Sequence, residues 1–188
     1  MSKEETRAKI IKTFRELAVN KNLDNITVLE IAESCGITPQ TFYNHFEDKY
    51  QMVEEMHNER FDEICEKVVG GQITWEEGLC EYLNGFIKAK RFLIRAFGKL
   101  GDDDSYVQSV EEHMVCAMKS LYEEKNNAPA DDVFVFAMRV YADGMLSTIY
   151  KWLKDQDRMP VEKLAKYISK AVPKTVIDGF STIISTRG

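Results

Sequence analysis

The stretch from Thr27 to Phe46 constrains this chain more than any other. It reads as two very short helices locked together by a turn. Thr27 offers a hydroxyl to cap a helix, and Glu30 three residues later completes the pattern of a capping box. Val28, Ile31 and Ala32 then give that helix one buried face. Gly36 stands where a tight turn needs a positive φ, and Ile37 plugs the turn into the core. Thr38 is a second cap, with Pro39 at the first helical position, where its missing N–H costs nothing. The second helix runs from Pro39 to about His45, anchored by Phe42 and Phe46.

Around this unit the pattern is helical throughout, which predicts an all-α fold. Only 4 Pro and 10 Gly punctuate 188 residues, and no alternating β-branched run appears. Ile10, Phe14 and Leu17, with Ile11 and Ala18, form one stripe over residues 4–20. Asp48 caps a long helix that carries Met52, Val53, Phe61, Ile64 and Cys65 and ends at Gly70-Gly71. Thr74 and Glu77 mark a second capping box, opening a helix with Leu79, Leu83, Phe86 and Ile87 inward. A further helical segment is expected over 92–100, a solvated acidic loop over 101–104, and Ser105 as the next cap. Helices are then expected over 106–125, from Pro129 to about Leu153, over 160–171 and over 174–186, with Pro173 between the last two. The helix after Pro129 is apolar around most of its circumference, so it is buried on more than one side.

Two short helices joined by a Gly turn make a helix-turn-helix, whose second helix can enter the major groove of DNA. Its outer face offers Gln40, Thr41 and Asn44. Gln and Asn can pair with adenine edges, and a Thr methyl can touch a thymine methyl. Tyr43, His45 and Lys49 suit phosphates, as do the amides at the helix N-termini near Thr27 and Thr38. Charge weighs mildly against this reading. The net charge is −6, and residues 1–50 carry seven Lys and Arg against eight Asp and Glu. DNA binding must therefore rest on where the cations point, not on bulk charge.

The run from Ile37 to Lys49, I-T-P-Q-T-F-Y-N-H-F-E-D-K, resembles the signature of TetR-family bacterial regulators, as does T-V-L-E-I-A from Thr27 to Ala32. The resemblance covers about residues 5–60. It implies a homodimer with a DNA-binding domain at 1–50 and a helical effector-binding and dimerisation domain at 51–188. It also implies phosphate contacts from Thr27, Thr38, Tyr43 and Lys49, and base contacts from Pro39, Gln40, Thr41 and Asn44. His45 is carried over as a further contact. Many members have Gly where Gln40 stands, which should alter base preference and not docking. Farther along, Y-A-D-G-M-L-S at 141–147, then K-W-L at 151–153 and M-P-V-E-K-L-A at 159–165, is similar to a TetR branch that includes the activator of dihydroxyacetone-kinase operons.

Together these features point to a DNA-binding regulator of a palindromic operator. The default is a dimeric repressor controlled by a small molecule; the alternative is an activator or co-regulator controlled by a protein partner. Met114, Met118, Tyr122, Phe134, Met138, Tyr141 and Met145 are the effector-pocket candidates, although for any single one of them plain core packing is the favoured reading. Arg139 and Asp143 can orient a ligand, pair with each other or sit at a dimer face, and Trp152 suits an interface or the core. The four cysteines, Cys35, Cys65, Cys80 and Cys116, have no metal-ligand spacing and read as reduced, mostly buried hydrophobes in a cytoplasmic protein. His57 and His113 have no partner at ligand or catalytic spacing. No cofactor, metal, membrane span or nucleophile–base set is expected, so the chain is not read as an enzyme.

Overall fold

The computed structural model describes residues 2–91, 93–94 and 105–180. The expected loop over 101–104, most of the segment over 92–100 and the end of the last helix lie outside the described residues. Among the described residues the regular elements are helices: α1 Lys3–Asn20, α2 Val28–Cys35, α3 Pro39–Tyr43, α4 Lys49–Val69, α5 Trp75–Lys88, α6 Ser105–Asn126, α7 Asp132–Lys154, α8 Val161–Lys170 and α9 Lys174–Gly179. A 3₁₀ turn, Leu23–Asn25, leads into α2.

Polar side chains at the starts of these helices fix where they begin. Ser2 and Glu5 form a reciprocal capping box on α1: Glu5 N–H donates to Ser2 Oγ at 3.1 Å, and Ser2 N–H donates to Glu5 Oε2 at 2.7 Å. The box expected at Thr27 is only half made. Glu30 N–H donates to Thr27 Oγ1 at 3.2 Å, but the Glu30 carboxylate pairs with Lys21 instead of turning back to the cap. At Thr74 the box is complete, with Thr74 N–H donating to Glu77 Oε2 at 2.7 Å. Gly36 takes φ 66°, so a side chain there would be strained, and it ends α2.

Two boundaries move. The recognition-type helix α3 stops at Tyr43, not His45, because Phe42 O accepts the N–H of both His45 and Phe46 and tightens the last turn. The long helix expected from Pro129 starts at Asp132. Asp131 accepts the Phe134 N–H at 2.7 Å, and Ala130 N–H is drawn to Glu123 at 3.1 Å, which holds the preceding residues outside the helix.

The N-terminal three-helix unit is built on Ile10, Phe14, Ile26, Ile31, Phe42 and Phe46, all at most 1 % exposed. Burying each of the two phenylalanines Phe42 and Phe46 contributes about 2–3 kcal/mol. Cations tie the unit together. Lys9 donates to Cys35 O at 2.6 Å, Lys49 to Leu23 O at 3.1 Å and Ile26 O at 3.0 Å, and Arg7 to His45 O at 2.6 Å. Arg7 also pairs with Glu55 and lies over the Phe46 ring, while Arg15 meets Glu59 at 3.0 Å. These last contacts fasten the unit to the first half of α4.

The second half of α4 enters the larger helical part. Three polar pairs join α4 to α6: Glu54 with Ser109, His57 with Tyr106, and Asp62 with His113 at 2.8 Å. The partners of His57 and His113 lie about fifty residues away in sequence, so no local spacing reveals them. Against α5 the approach is close, since a Cβ on Gly78 would sit 2.6 Å from Ile64 Cγ2. The cysteines are free, as expected, but Cys80 is only partly buried and Cys116 is exposed, so half of them are not core groups.

Candidate DNA-binding face and regulatory cavity

Helix α3 is held by one side and open on the other. Phe42 and Phe46 are sunk beneath it, while Thr38, Pro39, Gln40 and Asn44 lie on the outer side and Tyr43 is 52 % exposed. Thr41 is half-buried. The Thr38 and Thr41 hydroxyls lie 2.9 Å apart, and Gln40 Nε2 donates to Asn44 Oδ1 at 3.4 Å, so the outer polar groups form one short row. Thr27 is exposed at the start of α2. Both short helices thus begin with a threonine-capped N-terminus, where free amides favour anions.

Two of the expected contact residues sit differently. The Lys49 ammonium is directed at the carbonyls of Leu23 and Ile26, immediately before Thr27. It stiffens the approach to α2 from within. His45 is half-buried, and its Nδ1 is enclosed without a hydrogen-bond partner among the described residues. Of the seven cations in residues 1–50, Arg7, Lys9, Arg15, Lys21 and Lys49 are engaged with the chain's own carbonyls or carboxylates. Lys3 and Lys12 are exposed.

The larger part encloses an apolar cavity of about 50 Å³. That is several times the roughly 10–15 Å³ needed by one water. Five of the seven pocket candidates line it: Met114 and Met118 from α6, and Met138, Tyr141 and Met145 from α7. Tyr122 and Phe134 do not. Their rings stand 4.4 Å apart and pack against Phe180, which itself closes one side of the cavity. Sequence reasoning did not single out Phe61, Cys65, Val68 and Val69 of α4, Trp75 at the start of α5, or Val172, Val176 and Phe180 near the end. Phe61 and Cys65 were legible as an apolar face, but which neighbour that face meets is decided only by helix packing.

The polar atoms of the wall are already committed. Trp75 Nε1–H donates to Tyr141 Oη at 3.0 Å, and the Tyr141 hydroxyl donates to Ile168 O at 3.0 Å. Cys65 Sγ lies 3.7 Å from Met118 Sδ. Burial raises the Cys65 thiol far above its usual range and pushes the Tyr141 hydroxyl up to about 12 against the opposing effect of the Trp75 bond, so both stay neutral. Arg139 meets Glu111 at 3.3 Å and not Asp143, which is exposed. Trp152 is buried and donates to Met159 O at 2.7 Å. On the outside of α7, Val133, Phe136 and Val140 are 63, 68 and 55 % exposed and fall on one strip.

Among the described residues no group of three or more His, Cys, Asp or Glu side chains could hold a metal ion, and no helix is long and apolar enough to cross a membrane. Residues 10–56 match the family model described as bacterial regulatory proteins, tetR family. Residues 73–174, more than half of the chain, match a model described as a transcriptional regulator C-terminal region, of the TetR type. This chain belongs to the TetR family. TetR-family proteins are transcriptional regulators, and the three-helix unit is their helix-turn-helix. A curated relative, an uncharacterised HTH-type transcriptional regulator of Haemophilus influenzae, is 35 % identical over 60 residues, which are 31 % of this chain and 29 % of that protein. The match therefore spans less than a third of the relative's length. Among solved structures, the TetR-family repressor FadR of Thermus thermophilus, in complex with lauroyl-CoA, superposes with a TM-score of 0.64 at 17 % identity, covering 88 % of this chain and 92 % of that one. A TetR regulator of Streptococcus agalactiae gives 0.52 at 22 % identity, covering 92 % and 96 %. The repressor AlkX of Dietzia gives 0.56 at 13 % identity, covering 95 % and 96 %. At these identities the likeness is one of fold.

Proposed function

We propose that this TetR-family regulator is a homodimeric repressor that reads a palindromic operator with α3 and releases it when a small molecule fills the cavity. The observation that carries the reading is the two-sidedness of α3: Phe42 and Phe46 buried, and Thr38, Gln40, Tyr43 and Asn44 facing out. In this reading residues 1–50 form the DNA-reading domain and 51–188 the regulatory one. Gln40, Thr41 and Asn44 approach base edges, with Pro39 beside them, while Thr27, Thr38, Tyr43 and the two helix N-termini meet phosphates. Lys49 acts by holding the start of α2, and His45 lies at the margin of the surface. The strip Val133, Phe136 and Val140 supplies an apolar patch for a second copy.

Effector control follows from α4. Its first half is tied to the DNA-reading unit through Glu55 and Glu59, and its second half supplies Phe61, Cys65, Val68 and Val69 to the cavity. A ligand that fits better when α4 has shifted lowers operator affinity by its differential affinity for the two arrangements. Protein-partner control, with activation in place of repression, is the second reading. It is favoured by the outer strip of α8, where Lys163, Lys166, Tyr167 and Lys170 are all exposed.

The test is selection of bound duplexes from random DNA, followed by gel-shift titration. The parent should enrich an inverted repeat. Gln40→Ala should change the preferred bases, and Tyr43→Phe should weaken all duplexes alike. Enrichment of no sequence, or unchanged preference in Gln40→Ala, refutes the placement of α3 in the groove.

A further inference from the structure

The chemistry of the cavity wall restricts its ligand, an inference that rests on the effector reading above but goes beyond it. The wall holds methionine, aliphatic and aromatic groups, and the few polar atoms that reach it have partners within the protein. Tyr141 is the central case. Its oxygen accepts from the Trp75 indole at 3.0 Å, and its proton goes to Ile168 O at 3.0 Å. One hydroxyl thus joins α5, α7 and α8 and presents neither a free donor nor an invited acceptor to the cavity. Among the described residues no Lys, Arg or His lines the space. Lys125 lies outside the lining, with its ammonium 5.7 Å from the centre of the Phe180 ring.

We propose that the cavity is a polarity filter: it takes an uncharged ligand that needs no hydrogen bond, and the Tyr141 hydroxyl is the group that sets this selectivity. A ligand carbonyl or carboxylate brought into such a space loses its water and gains no partner. A hydrocarbon loses nothing and gains contact with polarizable sulfur and ring faces. The space of about 50 Å³ is smaller than the roughly 150 Å³ that takes a benzene ring, so the five sulfur side chains, Cys65, Met114, Met118, Met138 and Met145, must swing aside for such a guest, and they do so without adding charge.

Three probes of one frame test this by calorimetric titration of the full-length protein: ethylbenzene, acetophenone and phenylacetate. Ethylbenzene should bind, acetophenone about ten- to a hundred-fold more weakly, and phenylacetate not measurably. Acetophenone or phenylacetate binding as tightly as ethylbenzene overturns the filter and leaves the effector cavity standing. Binding of none of the three overturns the effector cavity itself. Ala142→Leu, which fills the space from a buried position on its wall, should abolish ethylbenzene binding. Binding that survives this change lies elsewhere and refutes the proposal. In Tyr141→Phe the indole N–H loses its acceptor, and the ratio of acetophenone to ethylbenzene affinity should rise at least about ten-fold. An unchanged ratio removes Tyr141 from the role. Should that variant not fold, the ranking of the probes in the parent protein decides.

Discussion

Removing the Tyr141 hydroxyl and removing the indole that donates to it should each cost stability, and the two losses should not add. In Tyr141→Phe the Trp75 N–H loses its acceptor, while the Ile168 carbonyl loses one of two donors and keeps the Ala171 N–H at 3.1 Å. The unpaired indole N–H costs about 1–3 kcal/mol and the lost second bond to Ile168 about 0.5–1.5, so the variant should lose about 1.5–4.5 kcal/mol. Trp75→Phe removes the donor itself. The Tyr141 proton still reaches Ile168, and the loss should be nearer about 1–1.5 kcal/mol for the bond, plus the packing of the smaller ring. In the double variant no indole N–H is left unpaired and Ile168 O still accepts from Ala171, so the pair should be coupled by about 1–2 kcal/mol. Urea unfolding at one fixed protein concentration measures all four corners of the cycle, since self-association of the kind proposed would add stabilisation by mass action. The Tyr141 hydroxyl stays protonated at neutral pH because burial pushes it up to about 12, so the comparison is between neutral side chains. Losses that add within about 0.3–0.5 kcal/mol refute the hydrogen-bond chain.

Other consequences are equally open to measurement. His57 is enclosed against Phe86, with Nδ1 bonded to the Tyr106 hydroxyl, and burial lowers its pKa to about 4 from the ordinary 6.5. The unfolded chain therefore binds the extra proton between those values, and stability contributed by this site falls as pH drops from about 6.5 to 4, by about 3 kcal/mol in all. Urea midpoints of the parent and His57→Phe across that range should converge toward low pH; parallel curves refute the assignment. Lys49→Ala should lower the melting temperature as well as DNA affinity, because its carbonyl contacts hold the segment before α2. A variant of unchanged stability with lost DNA binding makes Lys49 a direct phosphate contact instead. Gly78→Ala should destabilise by about 1–3 kcal/mol through overpacking, and Ile64→Ala in the same chain should relieve part of that loss by vacating the contact; a strictly additive pair contradicts it.

The turn unit was the most legible part of the chain because its rules are local. Thr27, Gly36, Thr38, Pro39 and Asp48 each act within a few residues, and each caps or turns the chain where the local chemistry requires. The same rules failed where a distant group competed. Glu30 was available to close a box on Thr27, but Lys21 took its carboxylate. Pro129 suited a helix start, yet Asp131 was a better acceptor, and Glu123 on the preceding helix held the intervening backbone. The cavity shows the same division. Its methionines lay on readable helix faces, whereas Trp75 and Phe180 come from element ends whose placement depends on how α5 and α9 dock. Tyr122 and Phe134 share the helical spacing of the wall residues, but ring packing around Phe180 draws them behind it.

The commitment of Arg7, Lys9, Arg15, Lys21 and Lys49 to their own scaffold bears on how such a molecule meets a chromosome. Affinity for arbitrary duplex grows with every mobile cation and shrinks steeply with salt. In the proposed role, a DNA-reading unit that engages five of its seven cations with its own framework should cling weakly to the vast excess of irrelevant sites. Occupancy of the proposed operator should then depend on shape and on the few outward polar groups, and hold more steadily when ionic strength changes.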